Sequence, residues 1–345
     1  MAALTTQFDT ALSRIEPSDD DTDNAPAAHT DVRTVLKDDD TLKAWGIDPV
    51  LIGSYKRQVS IRRIKDVDVF CRLASLPDDA EPVDVLTRFF DVLNDAYGID
   101  ADGEPRVKPQ ARSVQVLFPE YDGLYVDAVP ARPHSDGITW EIPLKEPTDD
   151  EIWKQTNPEQ LTVLTSAMND TSGGLYVPTV KLLRQTRRAL LGRSEAGKRP
   201  GGLLVEIAAY TACVNGWVAG KNQSHYYASA LAGVARVIEE YVHDGTEIPD
   251  PTLEGESLSI RATDAQWERA REKFNYAAEQ AKAAAETDDR CAAAKTFRAL
   301  LGGNDDHDFV FEMPDGCNDD GTRAAASRPI VAGDRHVAAG DGRFG

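Results

Sequence analysis

The sequence has few of the features that mark secreted, membrane or metal-stabilised proteins. Its 345 residues include only four cysteines, none of them in a C-x-x-C pair: Cys71, Cys213, Cys291 and Cys317. This pattern favours reduced thiols over a disulfide framework or a zinc site. No apolar run approaches the length needed to cross a bilayer, and the N-terminus lacks the basic start and apolar core of a secretory signal. We therefore predict a cytoplasmic protein without a membrane partner.

Basic residues are also scarce relative to acidic ones. The chain has 58 Asp and Glu against 38 Lys and Arg, which gives a formal net charge of −20. An excess of this size repels a polyanion, so we expect no stable complex with long nucleic acid. A nucleotide is still compatible, because metal ions or a local cation cluster hold one triphosphate against the wider field. The six histidines are dispersed without metal-ligand spacing, which argues against a histidine-based metal site.

The character of the sequence changes along its length. Short strand-like segments and helices alternate before Trp140, and after it helical periodicity extends over 175–191, 202–216, 225–243, 264–286 and 288–301. Strands early and helices late predict an α+β fold with a mixed catalytic half and a helical half.

Three segments are predicted from these changes. Residues 1–150 form the catalytic core with an N-terminal helix, 151–303 form a helical domain, and 304–345 form a partly disordered tail. The tail is expected to contribute little to a hydrophobic core. Near the start we predict a helix over 1–16, a turn or linker from Pro17 to Pro26, and a helix from Ala27 to about Leu36.

Two acidic residues occupy an otherwise apolar strand in the segment Ile64-Lys65-Asp66-Val67-Asp68-Val69-Phe70. Because side chains alternate along a strand, Asp66 and Asp68 project from one face while the valines point to the core. Neighbouring carboxylates that lose hydration repel each other, and a cation compensates for this cost. Hard oxygen ligands of this kind suit Mg²⁺ or Mn²⁺ on substrate phosphates.

Two further features belong with this strand. Asp127 is a third acid within an apolar strand, Leu124 to Val129, which is a costly position without a partner. Gly53 and Ser54 precede the acids, where a strand meets a short helix. Glycine lets the backbone approach a phosphate closely, and the serine hydroxyl is a donor to its oxygens.

Three such acids permit a two-metal site. One ion would activate a 2′- or 3′-hydroxyl of the acceptor nucleotide, and the other would hold the triphosphate and the leaving pyrophosphate. Asp127 is then the candidate base or orienting residue for the attacking hydroxyl, since positioning and charge neutralisation dominate phosphoryl transfer.

These motifs carry a family resemblance. The segment G-S-Y-K-R-Q-V-S-I-R-R-I-K-D-V-D-V-F, with V-D-A-V-P-A at 126–131, T-N-P-E-Q-L at 156–161 and D-P-T-L-E-G-E-S-L at 250–258, resembles the CD-NTases. These are bacterial relatives of cGAS and 2′-5′ oligoadenylate synthetase in the DNA polymerase β superfamily. The resemblance covers most of the chain, and it implies a polymerase β-like nucleotidyltransferase core followed by a C-terminal helical domain.

The resemblance also assigns site residues. It places the family's metal ligands on Asp66, Asp68 and Asp127, its phosphate-binding Gly-Ser on Gly53 and Ser54, and its helical-half triphosphate lysine on Lys181. One departure concerns a second phosphate-binding serine, which many relatives carry soon after the lysine helix. Here the sequence reads Pro200-Gly201-Gly202, where backbone N–H groups are the available substitute.

The implied function is metal-dependent joining of nucleoside triphosphates, ATP among them, into a cyclic di- or trinucleotide second messenger. Such enzymes release pyrophosphate and act in anti-phage (CBASS-type) defence, which implies effector or regulatory proteins as partners. Two alternatives stay open. One is a toxin-like transferase that modifies a tRNA or a protein, although the charge of −20 argues against an RNA acceptor. The other is a non-catalytic nucleotide sensor or scaffold.

Overall fold

The chain folds into an α+β structure, as its sequence predicts. The computed structural model describes residues 4–144, 152–192, 200–304, 306 and 308–324. Its seven named strands are β1 (Ile47–Ile52), β2 (Asp66–Leu73), β3 (Val107–Pro109), β4 (Val114–Phe118), β5 (Leu124–Pro133), β6 (Trp140–Pro143) and β7 (Trp153–Thr156). They form one sheet of order β1-β2-β5-β4-β3, in which β6 also pairs with β5 and β7 pairs with β6. Only β2 and β5 pair in parallel, which sets the acidic strand beside the strand of Asp127.

The helices divide between the two halves of the chain. They are α1 (Thr5–Ile15), α2 (Asp19–Asp38), α3 (Asp40–Ala44), α4 (Gly53–Lys56), α5 (Pro82–Tyr97), α6 (Pro158–Thr171), α7 (Tyr176–Leu191), α8 (Gly202–Val214), α9 (Gln223–Asp244), α10 (Asp264–Glu286) and α11 (Arg290–Leu301). One hydrophobic core joins the sheet to α2 and α5, and a second joins α7–α11 to α1. In the described part of the chain, no helix is both long enough and apolar enough to traverse a bilayer.

The predicted linker from Pro17 to Pro26 is wrong, because most of it is the start of α2. Ser18 caps the helix by accepting a hydrogen bond from the N–H of Asp21, whose carboxylate accepts one from the N–H of Ser18. The sequence signal was a capping box, which outweighed the cost of Pro26 inside the helix. The Asp21 carboxylate also accepts from the N–H groups of Arg63 and Ile64, at 3.0 Å each. The start of α2 therefore holds the loop that leads into β2.

The chain segments around α1 and after α11 meet in the helical core. The ring of Phe8 lies 4.9 Å from that of Phe297 and 5.1 Å from that of Phe311 between centroids. Phe311 and Val310 are fully buried, contrary to the expectation that residues beyond 303 add little to a core. Their apolar cluster was visible in the sequence, but its partner on α1 is about three hundred residues away. The part of the predicted tail from 325 to 345 lies outside the described residues.

The prediction of four reduced thiols is also wrong. Cys291 and Cys317 form a disulfide, with Cα atoms 5.3 Å apart and a separation of 26 positions in sequence. The pairing arises because the chain turns back after α11 and returns to the first turn of that helix. Neither cysteine lies in a sequence motif that would predict this pairing. Cys71 and Cys213 carry free thiols.

Candidate active site

The structure brings the three acids of the sequence prediction onto two adjacent strands. In the parallel register of β2 and β5, Asp68 is the partner of Asp127, and Val67 is the partner of Val126. Both valines are fully buried, so the acids project from the opposite face of the sheet. Asp66 lies on this same face, two residues before Asp68. The sheet thus gathers carboxylates from positions about sixty residues apart in sequence.

Burial and nearby carboxylates raise the pKa values of Asp68 and Asp127. Burial is the largest cause for Asp68, and repulsion from Asp66 and Asp127 adds to it, so that its pKa rises to about 7. Arg57 and Arg184 act in the opposite direction. Burial and repulsion from Asp66 also raise the pKa of Asp127, although hydrogen bonds from Gln115 and Ser113 lower it. The folded chain therefore holds negative charge where it is costly, which is typical of a functional site.

The donor set fits a divalent cation in its chemistry. Among the residues that the structure describes, no group of three or more His, Cys, Asp or Glu side chains is arranged to hold a metal ion as it stands. Carboxylate oxygens are the donors that Mg²⁺ and Mn²⁺ prefer, and a cation would relieve the repulsion between these acids.

Gly53 begins α4 at the end of β1 and lies directly against Asp68. Its φ of +75° is in the left-handed region, and a Cβ built on it would lie 1.9 Å from Oδ2 of Asp68. A side chain at this position would displace the carboxylate as well as strain the backbone. The next residue, Ser54, lines the same space, and its hydroxyl is 3.0 Å from that of Ser60. The glycine is thus required by close approach to the acid.

The acids Asp66 and Asp68 open onto a cavity of about 360 Å³ between the two halves of the chain. The sheet half contributes Ile52, Gly53, Ser54, Arg57, Asp66 and Asp68 to its wall, and the other residues are Thr156, Pro158, Leu161, Arg184, Gly202, Leu203, Glu206, Ile207, Asp250, Thr252 and Leu258. Asp127 is not part of this wall, although it is the register partner of Asp68. A larger cavity, of about 790 Å³, lies by the end of α9 and the start of α10, and its wall contains none of the three strand acids.

A buried ion cluster joins the halves at this cavity. Arg57, which follows α4, donates from Nε to Oε1 of Glu206 on α8 at 2.5 Å and from Nη2 to Oε2 at 3.0 Å. Nη1 of Arg184 on α7 lies 3.9 Å from Oε2 of the same carboxylate. The side chain of Glu206 is fully buried, and that of Arg57 is 5% exposed. Sequence analysis missed Arg57 and Glu206, because nothing local marks a pair separated by 149 residues.

The predicted triphosphate lysine lies elsewhere. Nζ of Lys181 donates to both carboxylate oxygens of Glu16, at 2.6 and 2.7 Å, and Lys181 does not line the cavity. Arg184, one turn later on α7, is on the wall. A Cβ added to Gly202 would lie 3.0 Å from its guanidinium carbon, so Gly202 allows α8 to approach that group. In the sequence, Arg184 shares a basic helix face with Lys181 and Arg188. Their spacing alone did not indicate which of the three lines the cavity.

Comparisons with known proteins show what the chain as a whole is similar to. A protein-family model described as a Second Messenger Oligonucleotide or Dinucleotide Synthetase domain matches residues 2–169. A cyclic AMP-AMP-AMP synthase of an Acinetobacter species is 27% identical over 319 residues, which cover 86% of this chain and 83% of that enzyme.

Solved structures are similar over most of the chain. CdnC of E. coli MS115-1, in complex with HORMA-deltaN, has a TM-score of 0.65 at 18% identity and covers 89% of this chain and 98% of its own. The cyclic AMP-GMP synthase DncV of Vibrio cholerae has a TM-score of 0.63 at 10% identity, with coverage of 86% and 96%. These likenesses confirm the predicted fold, a nucleotidyltransferase core followed by a helical half.

Proposed function

We propose that this chain, which belongs to the CD-NTase family of nucleotidyltransferases, joins nucleoside triphosphates into a cyclic di- or trinucleotide and releases pyrophosphate. One observation carries the proposal. Asp66, Asp68 and Asp127 share one face of two adjacent strands, and the first two open onto a cavity between the halves of the chain. The pKa values of Asp68 and Asp127 are raised, because burial and nearby carboxylates disfavour the ionised forms. A bound divalent cation would stabilise these ionised forms.

Each acid has a role in this proposal. Asp66 and Asp68 would hold Mg²⁺ or Mn²⁺, and Asp127 would complete the ligand set and orient the attacking hydroxyl of the acceptor nucleotide. Bound divalent ions supply charge neutralisation at the triphosphate and lower the pKa of the attacking hydroxyl. Burial and repulsion from Asp66 raise the pKa of Asp127, which makes it a stronger proton acceptor than an ordinary aspartate.

Several hydrogen-bond donors on the cavity wall are available to bind the phosphates of a nucleotide. Ser54 contributes a hydroxyl beside Gly53, and Gly202 is the first residue of α8, where N–H groups are without partners in the helix. Arg184 contributes a guanidinium that makes no hydrogen bond within the described residues and faces the cavity. We assign to it the triphosphate contact that sequence analysis gave to Lys181.

The similar proteins suggest the product and the setting. The Acinetobacter relative is a cyclic AMP-AMP-AMP synthase, which favours ATP as substrate and a ring of three nucleotides. The CdnC structure includes a HORMA protein, which favours a regulatory protein partner. Both fit a role in anti-phage signalling, in which an effector protein reads the cyclic product.

Mass spectrometry of the reaction products tests this function. The purified chain is incubated with ATP, GTP, CTP and UTP in Mg²⁺ or Mn²⁺, and the products are then treated with phosphatase. A phosphatase-resistant cyclic oligonucleotide, formed with release of pyrophosphate, is the expected result. Label that appears only on added RNA or protein would support the transferase alternative instead. Binding of nucleotides without turnover in both metals would support the sensor alternative.

Arg184→Met and Lys181→Met form a matched pair that locates the triphosphate cation. Both replacements remove one positive charge from α7, but only Arg184 lines the cavity. We expect Arg184→Met to weaken nucleotide triphosphate binding by about 10-fold or more, the scale of a charge-assisted hydrogen bond to phosphate. Lys181→Met should change this affinity less than about 3-fold. Equilibrium titration with a non-hydrolysable ATP analogue measures both, and the reverse ranking would return the role to Lys181.

A further inference from the structure

A second acidic site lies on the wall of the same cavity, in the segment between α9 and α10. Asp250 and Thr252 both line the cavity. Oδ1 of Asp250 accepts hydrogen bonds from the N–H of Thr252 at 2.8 Å and from its hydroxyl at 2.7 Å. Oδ2 makes no hydrogen bond to any described residue. The carboxylate is therefore oriented through one oxygen and keeps the other as a free acceptor.

The segment that carries Asp250 is fixed by its own backbone. The N–H of Asp250 donates to the carbonyl of Glu256 at 2.8 Å, and the N–H of Leu258 donates to that of Ile248 at 2.8 Å. Ile248 and Leu253 are both buried, at 3% and 9% exposure. The segment thus behaves as a short hairpin anchored in the helical core, and it presents Asp250 at a defined place on the wall.

No cation within the described residues explains this carboxylate. The two basic residues of the wall are Arg57 and Arg184, and both surround Glu206. Asp250 has no ion pair with any described residue. The apolar wall residues Leu203, Ile207 and Leu258 provide a surface against which a flat ring can pack. A partly buried carboxylate in such a place is stabilised by an N–H donor of a ligand.

The charge of Asp250 restricts which part of a nucleotide can reach it. Phosphates are repelled by a carboxylate and belong with Arg184 and the strand acids with their cation. We propose, on the basis of the function proposed above, that Asp250 recognises the exocyclic amino group of adenine, with the base packed on the apolar wall. Adenine presents an N–H donor at position 6, whereas hypoxanthine presents a carbonyl oxygen there, which the carboxylate repels.

Binding of two matched nucleotides tests this recognition. The α,β-methylene analogues of ATP and ITP are titrated against the full chain, because they differ at position 6 of the base and cannot transfer a nucleotide. We expect the original chain to bind the ATP analogue at least about 10-fold more tightly, the scale of a hydrogen bond to a charged group. Asp250→Asn should bring this ratio close to one, since an amide both donates and accepts. Its oxygen still accepts the two hydrogen bonds from Thr252, so the hairpin is kept.

Glu254→Gln is the matched control, because it changes an exposed carboxylate in the same hairpin that does not line the cavity. It should leave the ratio unchanged. An equal ratio in the original chain and in Asp250→Asn would overturn the inference. Equal weakening of both analogues by Asp250→Asn would also overturn it, by placing Asp250 at the ribose. Failure of both analogues to bind the original chain would contradict the proposed function itself.

Discussion

Replacing Asp66 and Asp68 together by asparagine is expected to reduce cyclic product formation by at least about 10³-fold. This is the scale of effect when a strong electrostatic contact to a phosphoryl-transfer transition state is lost. The two amides keep the shape of the site but remove the negative charge that would hold the divalent ions. Product formation from labelled ATP, with Mg²⁺ and with Mn²⁺, measures the loss. A fully active double variant would contradict the catalytic role of these acids.

Asp68→Asn is expected to stabilise the fold by an amount that depends on pH. Because the pKa of Asp68 rises to about 7 in the folded chain, its ionisation destabilises the fold. The sign follows from the raised pKa: the cost is absent below the unfolded pKa, grows as the pH rises toward 7, and is complete above it. Asp68→Asn removes this cost, so its free energy of unfolding should exceed that of the original chain by about 1–3 kcal/mol above pH 7. The difference should shrink as the pH falls toward 4.

An exposed pair of acids controls for the change in net charge. Asp78 and Asp79 are adjacent and exposed. Replacing both by asparagine removes two negative charges, as the Asp66 and Asp68 double variant does. This variant should keep its activity, and its stability should follow that of the original chain across the pH range. If it lost activity as the strand variant does, the global charge of the chain would be the cause rather than the site.

Glu206→Ala is expected to lower the free energy of unfolding by about 3–5 kcal/mol, the cost of breaking a buried ion pair by removing one partner. The substitution leaves Arg57 buried without its carboxylate and leaves Arg184 without its nearest anion. Since Arg57 and Glu206 come from different halves of the chain, the loss also loosens the cavity between them. Urea denaturation followed by far-UV circular dichroism measures the change in midpoint.

The control is a second Arg–Glu pair that joins the same two halves. Arg72 on β2 pairs with Glu159 on α6, but their side chains are 29% and 34% exposed. Glu159→Ala should cost less than about 1 kcal/mol, because water compensates for a lost partner at the surface. Equal effects of the two substitutions would show that burial of Glu206 does not control its contribution. Glu206→Gln should fall between them, since the amide retains part of the hydrogen bonding.

Strand β2 with its two acids could be predicted because its signal is local. Alternation of Asp66 and Asp68 with buried valines specifies both a strand and the face that bears the acids. Asp127 gave the same kind of signal, an acid within an apolar strand, and the family resemblance supported grouping it with the first two acids. Helices α7 to α11 were also predictable, because helical periodicity extends over the segment that forms each of them.

The rest of the site depends on contacts that local sequence does not encode. Arg57, Glu206 and Asp250 are ordinary charged residues by composition, and they become unusual only through burial or through their place on the cavity wall. The basic face of α7 was visible, but which of its residues turns toward the cavity is decided by how α7 packs against α1 and α8. Lys181 faces Glu16 for that reason, and Arg184 faces the strand acids.

The packing of Phe8 against Phe297 and Phe311 determines when the helical half can complete its core during synthesis. Phe8 leaves the ribosome long before Phe297 and Phe311 have been translated. During most of synthesis α1 therefore lacks its aromatic partners. The helical half supplies one wall of the cavity, and Phe311 packs in the core of that half. Truncation before Phe311 is therefore expected to destabilise this wall.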